Sequence, residues 1–175
     1  TKLRPEVIQS FWDKNGELSA SFGTIVHDAF DFYIKNQTQL EAYDNIRERE
    51  HSACNWMPNT VGRIIDQYLE TRNVSASQSE VFVRHGLFCG YIDQLLYIDD
   101  SVVQIRDYKI INKLKKVKTR SYGSITKYTV QQNFYREILE ANGYSVVSME
   151  LNTYDGSEWR DVELEEIEIG VRQEN

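Results

Sequence analysis

Apolar residues recur at helical spacing through the first part of the chain and change to strand-like runs in the middle. Residues 5–72 read as three helices, with breaks near Asn15-Gly16, around Gln37 and at Pro58-Asn59-Thr60. Within them, Phe22, Ile25, Val26, Ala29, Phe30 and Tyr33 form one stripe, and Ser19 or Ser21 is placed to cap it. From 80 to 111 the chain is rich in Val, Ile, Phe, Leu and Tyr. Interruptions at His85-Gly86 and Asp99-Asp100 mark three consecutive antiparallel strands. A helix is expected from Ser124 to Ala141, stopped by Asn142-Gly143. Val146 to Leu151 reads as a further strand. Val162, Leu164, Ile167 and Ile169 alternate imperfectly and predict an edge strand over Trp159 to Ile169. Such an order implies an α/β or α+β layer arrangement, a mixed central sheet flanked by helices. One domain over 1–175 is expected, with a helical part at 1–75 and a sheet and helix at 78–170.

Chemistry concentrates where the strands do. Gly90-Tyr91-Ile92-Asp93 precedes Asp107-Tyr108-Lys109 on the neighbouring strand. Asp107 and Lys109 are two residues apart and share a face of their strand. Two carboxylates converging on one spot repel unless a cation sits between them. Hard oxygen ligands suit Mg²⁺ or Mn²⁺, and a Lys beside such an ion orients water or neutralises a phosphate. A plain two-residue turn at Asp99-Asp100 would pair Asp93 with Arg106 and separate the carboxylates. Their convergence therefore requires an odd-numbered connection or a bulge.

Three further features join this pair. His27, in Gly23-Thr24-Ile25-Val26-His27, sits mid-helix, where a neutral imidazole can reach a metal or simply pack. Glu80, at the head of the first strand, is either another acidic group of the site or an exposed strand end. Gln131 and Tyr135 lie four apart on one face of a helix.

Taken in order, Gly-Thr-x-x-His, Glu, Gly-x-Ile-Asp, Asp-x-Lys and Gln-x-x-x-Tyr resemble the RecB-like branch of the PD-(D/E)XK nuclease superfamily, over roughly residues 20 to 151. The resemblance implies a restriction-endonuclease-like core and a metal-dependent DNA nuclease, an exonuclease of recombination, repair or replication. A structure-specific endonuclease of the same fold is the alternative. It implies His27, Asp93, Asp107 and the Tyr108 backbone carbonyl as ligands of one or two Mg²⁺ or Mn²⁺ ions, with Glu80 as a further candidate. Asp93, Asp107, Lys109 and Gln131 would be catalytic, and Tyr135 would contact the substrate strand. Several relatives carry a four-cysteine iron–sulfur cluster. With only Cys54 and Cys89, no such cluster is expected here, and Cys89 reads as a small buried hydrophobe.

The net charge of −7 changes the picture only through its distribution. Lys113, Lys115, Lys116, Lys118, Arg120 and Lys127 follow Lys109 with no acidic residue among them, a run placed to clamp phosphates of single- or double-stranded DNA. From Glu158 onward the chain is acidic, which offers a surface to a basic protein partner. A non-catalytic nucleic-acid-binding or interaction module would also fit this charge map but leaves the ordered motifs unexplained. Neither a membrane-spanning run nor a signal-peptide pattern is visible, so an intracellular, cytoplasmic protein of a bacterial or phage-infected cell is expected. The first residue is Thr1, which leaves room for a preceding segment.

Overall fold

The computed structural model describes residues 5–36, 58–110 and 122–171. Helix α1 spans Pro5–Asn36 and α2 spans Pro58–Thr71. Strands β1 (Ser77–His85), β2 (Phe88–Tyr97) and β3 (Val102–Ile110) follow. Helix α3 (Tyr122–Ala141) leads into β4 (Ser145–Tyr154) and β5 (Trp159–Glu163). The five strands form one sheet in the order β1-β2-β3-β4-β5. Pairing is antiparallel except between β3 and β4, which are parallel and joined through the segment containing α3. This is the mixed α+β arrangement the pattern predicted.

Each face of the sheet has its own core. Ile25, Val26, Ala29 and Phe30 of α1 pack with Val61, Ile64, Ile65 and Tyr68 of α2 against Tyr108 and Tyr154. Aromatic rings bind this layer together: Phe30 stacks on Tyr108 at 4.5 Å, and Tyr68 meets Trp159 edge-on at 5.0 Å. Each such pair contributes about 0.5–1.5 kcal/mol beyond its buried area. On the opposite face, Tyr135, Ile138 and Leu139 of α3 pack on Val83, Ile92, Leu95, Val103, Ile105 and Met149.

Four expectations need correction. Helix α1 runs unbroken through Asn15-Gly16, so Ser19 and Ser21 lie inside it and not at its start. A single Gly costs a helix only about 1 kcal/mol, which the buried stripe further along offsets. Glu80 is not at the head of β1 but within it. Cys89 is exposed, because its neighbour Gly90 is the residue that faces α3 and successive residues of a strand face opposite ways. Finally, β5 ends at Glu163 instead of continuing to Ile169. After Leu164 donates to the Met149 carbonyl, the backbone turns to side chains of α3. Asn133 accepts from Ile167 N–H, and Glu137 accepts from the N–H groups of Ile169, Gly170 and Val171. A segment whose donors are satisfied by a helix has no ladder to join.

Candidate active site

The register brings the carboxylates into one row. Tyr97 pairs with Val103, leaving residues 98–102, an odd number, in the connection. Gln94 therefore pairs with Arg106, and the same register sets Asp93 opposite Asp107. Across the other ladder, Ser79 pairs with Gln94 and Val81 with Ile92, which sets Glu80 opposite Asp93. Three acidic residues on three adjacent strands thus lie side by side.

The sheet is irregular at this row. Ser79 and Gln94 face the α1/α2 layer, where Ser79 bonds Asp31 and Gln94 Oε1 lies 3.0 Å from the Tyr68 hydroxyl. Val81 and Ile92, each two residues away, belong to the α3 layer. Regular alternation would keep both on one face. It fails at Glu80 and Asp93, and Glu80 carries φ of 49°, a left-handed conformation unusual for a non-glycine residue. Strained backbone of this kind gathers at functional sites.

Pairing between β2 and β3 stops at Gln94 and Arg106, while β3 continues beside β4 to Ile110. The edge of Tyr108 that faces β2 is consequently bound by side chains. Its N–H donates to Asp93 Oδ2 at 3.0 Å, and its carbonyl accepts from His27 Nε2 at 3.0 Å. The Tyr108 ring is fixed below by Phe30, and its hydroxyl donates to Gln94 Oε1 at 2.6 Å. His27 thus reaches from the half-buried face of α1 into the gap between the strands. Its Nδ1 lies 3.5 Å from Asp93 Oδ2. With Nε2–H donating to a carbonyl, a neutral ring turns a lone pair toward that carboxylate, an arrangement relieved by a proton or a cation between them. One ligand atom from each of His27, Glu80 and Asp93 falls within 4.8 Å of the others.

Asp107 is 4% exposed, and its pKa is raised to about 6, first by burial and then by the charge of Asp93, with Lys109 opposing. Lys109 Nζ lies 2.7 Å from Asp107 Oδ2. The ammonium is the charged partner of this buried oxygen. Burial alone would lower the Lys109 pKa, but Asp107 and Asp93 outweigh it and the net shift is upward. Its ammonium also sits 5.2 Å above the Tyr128 ring of α3. Glu80, although exposed at the sheet surface, is raised too, by partial desolvation and then by Asp31, with His27 opposing.

These donors fit a divalent cation. Asp107 is buried beside Asp93, whose charge pushes it toward protonation, and an imidazole nitrogen of His27 faces the Asp93 carboxylate.

Not every expected site residue joins this cluster. Gln131 is exposed on α3, and its amide donates to the Tyr135 hydroxyl at 3.2 Å. Tyr135 is 7% exposed, its ring against the backbone of Gly90. Lys113, Lys115, Lys116, Lys118 and Arg120 lie outside the described residues, as does Cys54; Lys127 is exposed at the start of the described part of α3's surface. Tyr128 was missed from the sequence. Its signal was the spacing Tyr128, Gln131, Tyr135, one face of α3 at i, i+3 and i+7.

A sheet split open over a row of carboxylates, with a lysine two residues from one of them, defines a class, and comparison with known proteins agrees. The family model of the PD-(D/E)XK nuclease superfamily matches residues 3–166, and the chain belongs to that superfamily. It is similar to the crystal structure of a "Putative exonuclease" from Eubacterium rectale, with a TM-score of 0.50 and 16% sequence identity. The match covers 87% of this chain and 61% of that one, so this chain spans about three-fifths of its neighbour's length. At that identity the likeness speaks for the fold. The comparison with curated proteins gives no match.

Proposed function

We propose that this chain is a metal-dependent deoxyribonuclease of the RecB-like branch, an exonuclease hydrolysing phosphodiester bonds in DNA recombination, repair or replication. The observation that carries the reading is the Tyr108 backbone held between Asp93 and His27, with Glu80 beside Asp93 and the Asp107–Lys109 ion pair alongside. His27, Asp93 and Asp107 would hold Mg²⁺ or Mn²⁺, with the Tyr108 carbonyl and Glu80 as further donors. Once bound, the cation supplies Lewis-acid polarisation of a phosphate and a more acidic water.

The residues themselves divide the remaining work. Lys109 keeps its proton, because two carboxylates stabilise the ammonium. It is therefore suited to orient water and stabilise anionic charge. Tyr128 limits where the ammonium can go by covering it with a ring face. Gln131 lies one turn along the same face of α3, at the rim. The basic run from Lys113 to Arg120, following directly after β3, would draw DNA phosphates toward the carboxylates. The name carried by the E. rectale neighbour points to exonuclease in preference to endonuclease action. Product analysis tests this directly: an exonuclease degrades linear DNA from its ends and leaves covalently closed circles intact. Nicking of closed circles at a comparable rate would overturn that part of the proposal.

A further inference from the structure

Two positions outward from the acidic row, beyond Val81 and Ile92, the β1–β2 hairpin pairs Phe82 with Tyr91. The two rings touch at a centroid distance of 5.2 Å, yet they are 53% and 58% exposed. Val81, Val83 and Ile92 on either side of them turn into the α3 layer. By alternation Phe82 and Tyr91 turn the other way, to the side from which α1 delivers His27. Helix α1 meets Asp93 at His27 and Ser79 at Asp31, so it runs antiparallel to β1, and its N-terminal side extends toward this pair. Arg84 follows Phe82 on the same face, exposed, its Nε held by the Gly86 carbonyl at 3.3 Å over the hairpin turn. Moving outward from the site, the hairpin thus presents carboxylates at Glu80 and Asp93, then two aromatic faces, then a guanidinium.

We infer that Phe82 and Tyr91 form a stacking subsite for a nucleobase of the substrate strand, with Arg84 meeting a flanking phosphate. This rests on the nuclease reading and specifies how its substrate is held. Two residues of strand advance about 6.8 Å, so the rings lie about one nucleotide's reach from the carboxylate row. Every base has a π face, so the subsite is blind to sequence. Exposed aromatic pairs on an edge strand are a liability that proteins normally suppress. Continuity with the acidic row gives this one an occupant.

The test compares two six-nucleotide single strands with identical phosphates, one of thymidines and one fully abasic, titrated in chelator so that neither is consumed. The wild-type protein should bind the thymidine strand more tightly by about fivefold to a hundredfold, the range for stacking one base. In Phe82→Ala/Tyr91→Ala that preference should fall to near unity, while affinity for the abasic strand is unchanged. Phe82→Tyr/Tyr91→Phe should restore the preference. Both side chains are exposed, so the variants keep their cores, and circular dichroism checks this. An undiminished preference in the alanine variant would overturn the subsite while leaving the nuclease reading intact. Loss of self-association in sedimentation, with the preference undiminished, would assign the pair to an interface between copies of this chain. Wild-type protein that neither binds these strands nor cleaves DNA in metal would overturn both readings.

Discussion

Replacing Gly90 with alanine puts a methyl group where Tyr135 already stands. An added Cβ would lie 2.5 Å from Tyr135 Cε1, 2.8 Å from its hydroxyl oxygen and 3.0 Å from Cζ. Carbon atoms in contact prefer about 3.5–4.0 Å, so roughly 1 Å of movement is required. The ring is rigid and buried among Val83, Ile92 and Ile138, and its hydroxyl is tied to Gln131. Overpacking of this kind costs about 1–3 kcal/mol. With a urea m-value of about 2 kcal/mol/M, the unfolding midpoint should fall by about 0.5–1.5 M. The decisive arm is the same substitution in a Tyr135→Ala background. Gly90 lies in a strand, where alanine is favoured over glycine by roughly 0.5–1 kcal/mol, so Gly90→Ala should there be neutral or stabilising. A sign change between backgrounds is a coupling between residues in contact. Equal destabilisation in both backgrounds would show that Gly90 is required for its backbone and not for the ring.

Glu137 accepts three backbone N–H groups of the C-terminal segment. Burial alone would raise its pKa, but those bonds together with Arg136 hold it below the usual carboxylate range. Glu137→Gln should cost about 2 kcal/mol at neutral pH. Because the folded pKa is depressed, the stabilisation is present above about pH 4.3 and is lost as pH falls through the folded value; unfolding curves for the two proteins should converge in acid. His27→Ala should weaken Mn²⁺ binding more than Mg²⁺ binding, since imidazole suits the transition metal, and equal losses in calorimetric titration would remove His27 from the ligand set. Multiple Lys→Ala changes at Lys113, Lys115, Lys116 and Lys118 should flatten the log–log salt dependence of DNA affinity by about 0.7 per lost contact on single strands. An unchanged slope would place DNA elsewhere on the molecule.

Much of the fold was legible because local chemistry and tertiary structure agree. The stripe from Phe22 to Tyr33 is buried where it was expected, and Asn142-Gly143 ends α3, with Gly143 at φ of 91°. The strand breaks at His85-Gly86 and Asp99-Asp100 fall in the hairpin turns. What was hidden depended on long-range pairing. The alternation of Trp159 to Ile169 looked like a strand, but Asn133 and Glu137 of α3 claim its backbone donors. Tyr135 packs on Gly90, far away in sequence, a contact that no local signal announces. Similarly, the motif residues His27, Asp93, Asp107 and Lys109 could be picked out by type and spacing. The break in alternation at Glu80 and Asp93 could not, because no propensity encodes where two strands in register will turn a pair of side chains aside. Phe82 and Tyr91 passed unnoticed for a related reason: in sequence, two aromatics in a strand look like core.

The most direct test of the account is release of nucleotides from linear DNA by purified protein in Mg²⁺, in Mn²⁺ and in chelator, with wild type beside Asp107→Asn. Asparagine keeps the shape of Asp107 but removes the charge that faces Lys109 and neighbours Asp93. The predicted result is cleavage by wild type in either metal, none in chelator, and a folded Asp107→Asn protein without measurable activity in any condition. Cleavage that persists in chelator, or that survives the substitution at the wild-type rate, would contradict the assignment of catalysis to this row of carboxylates.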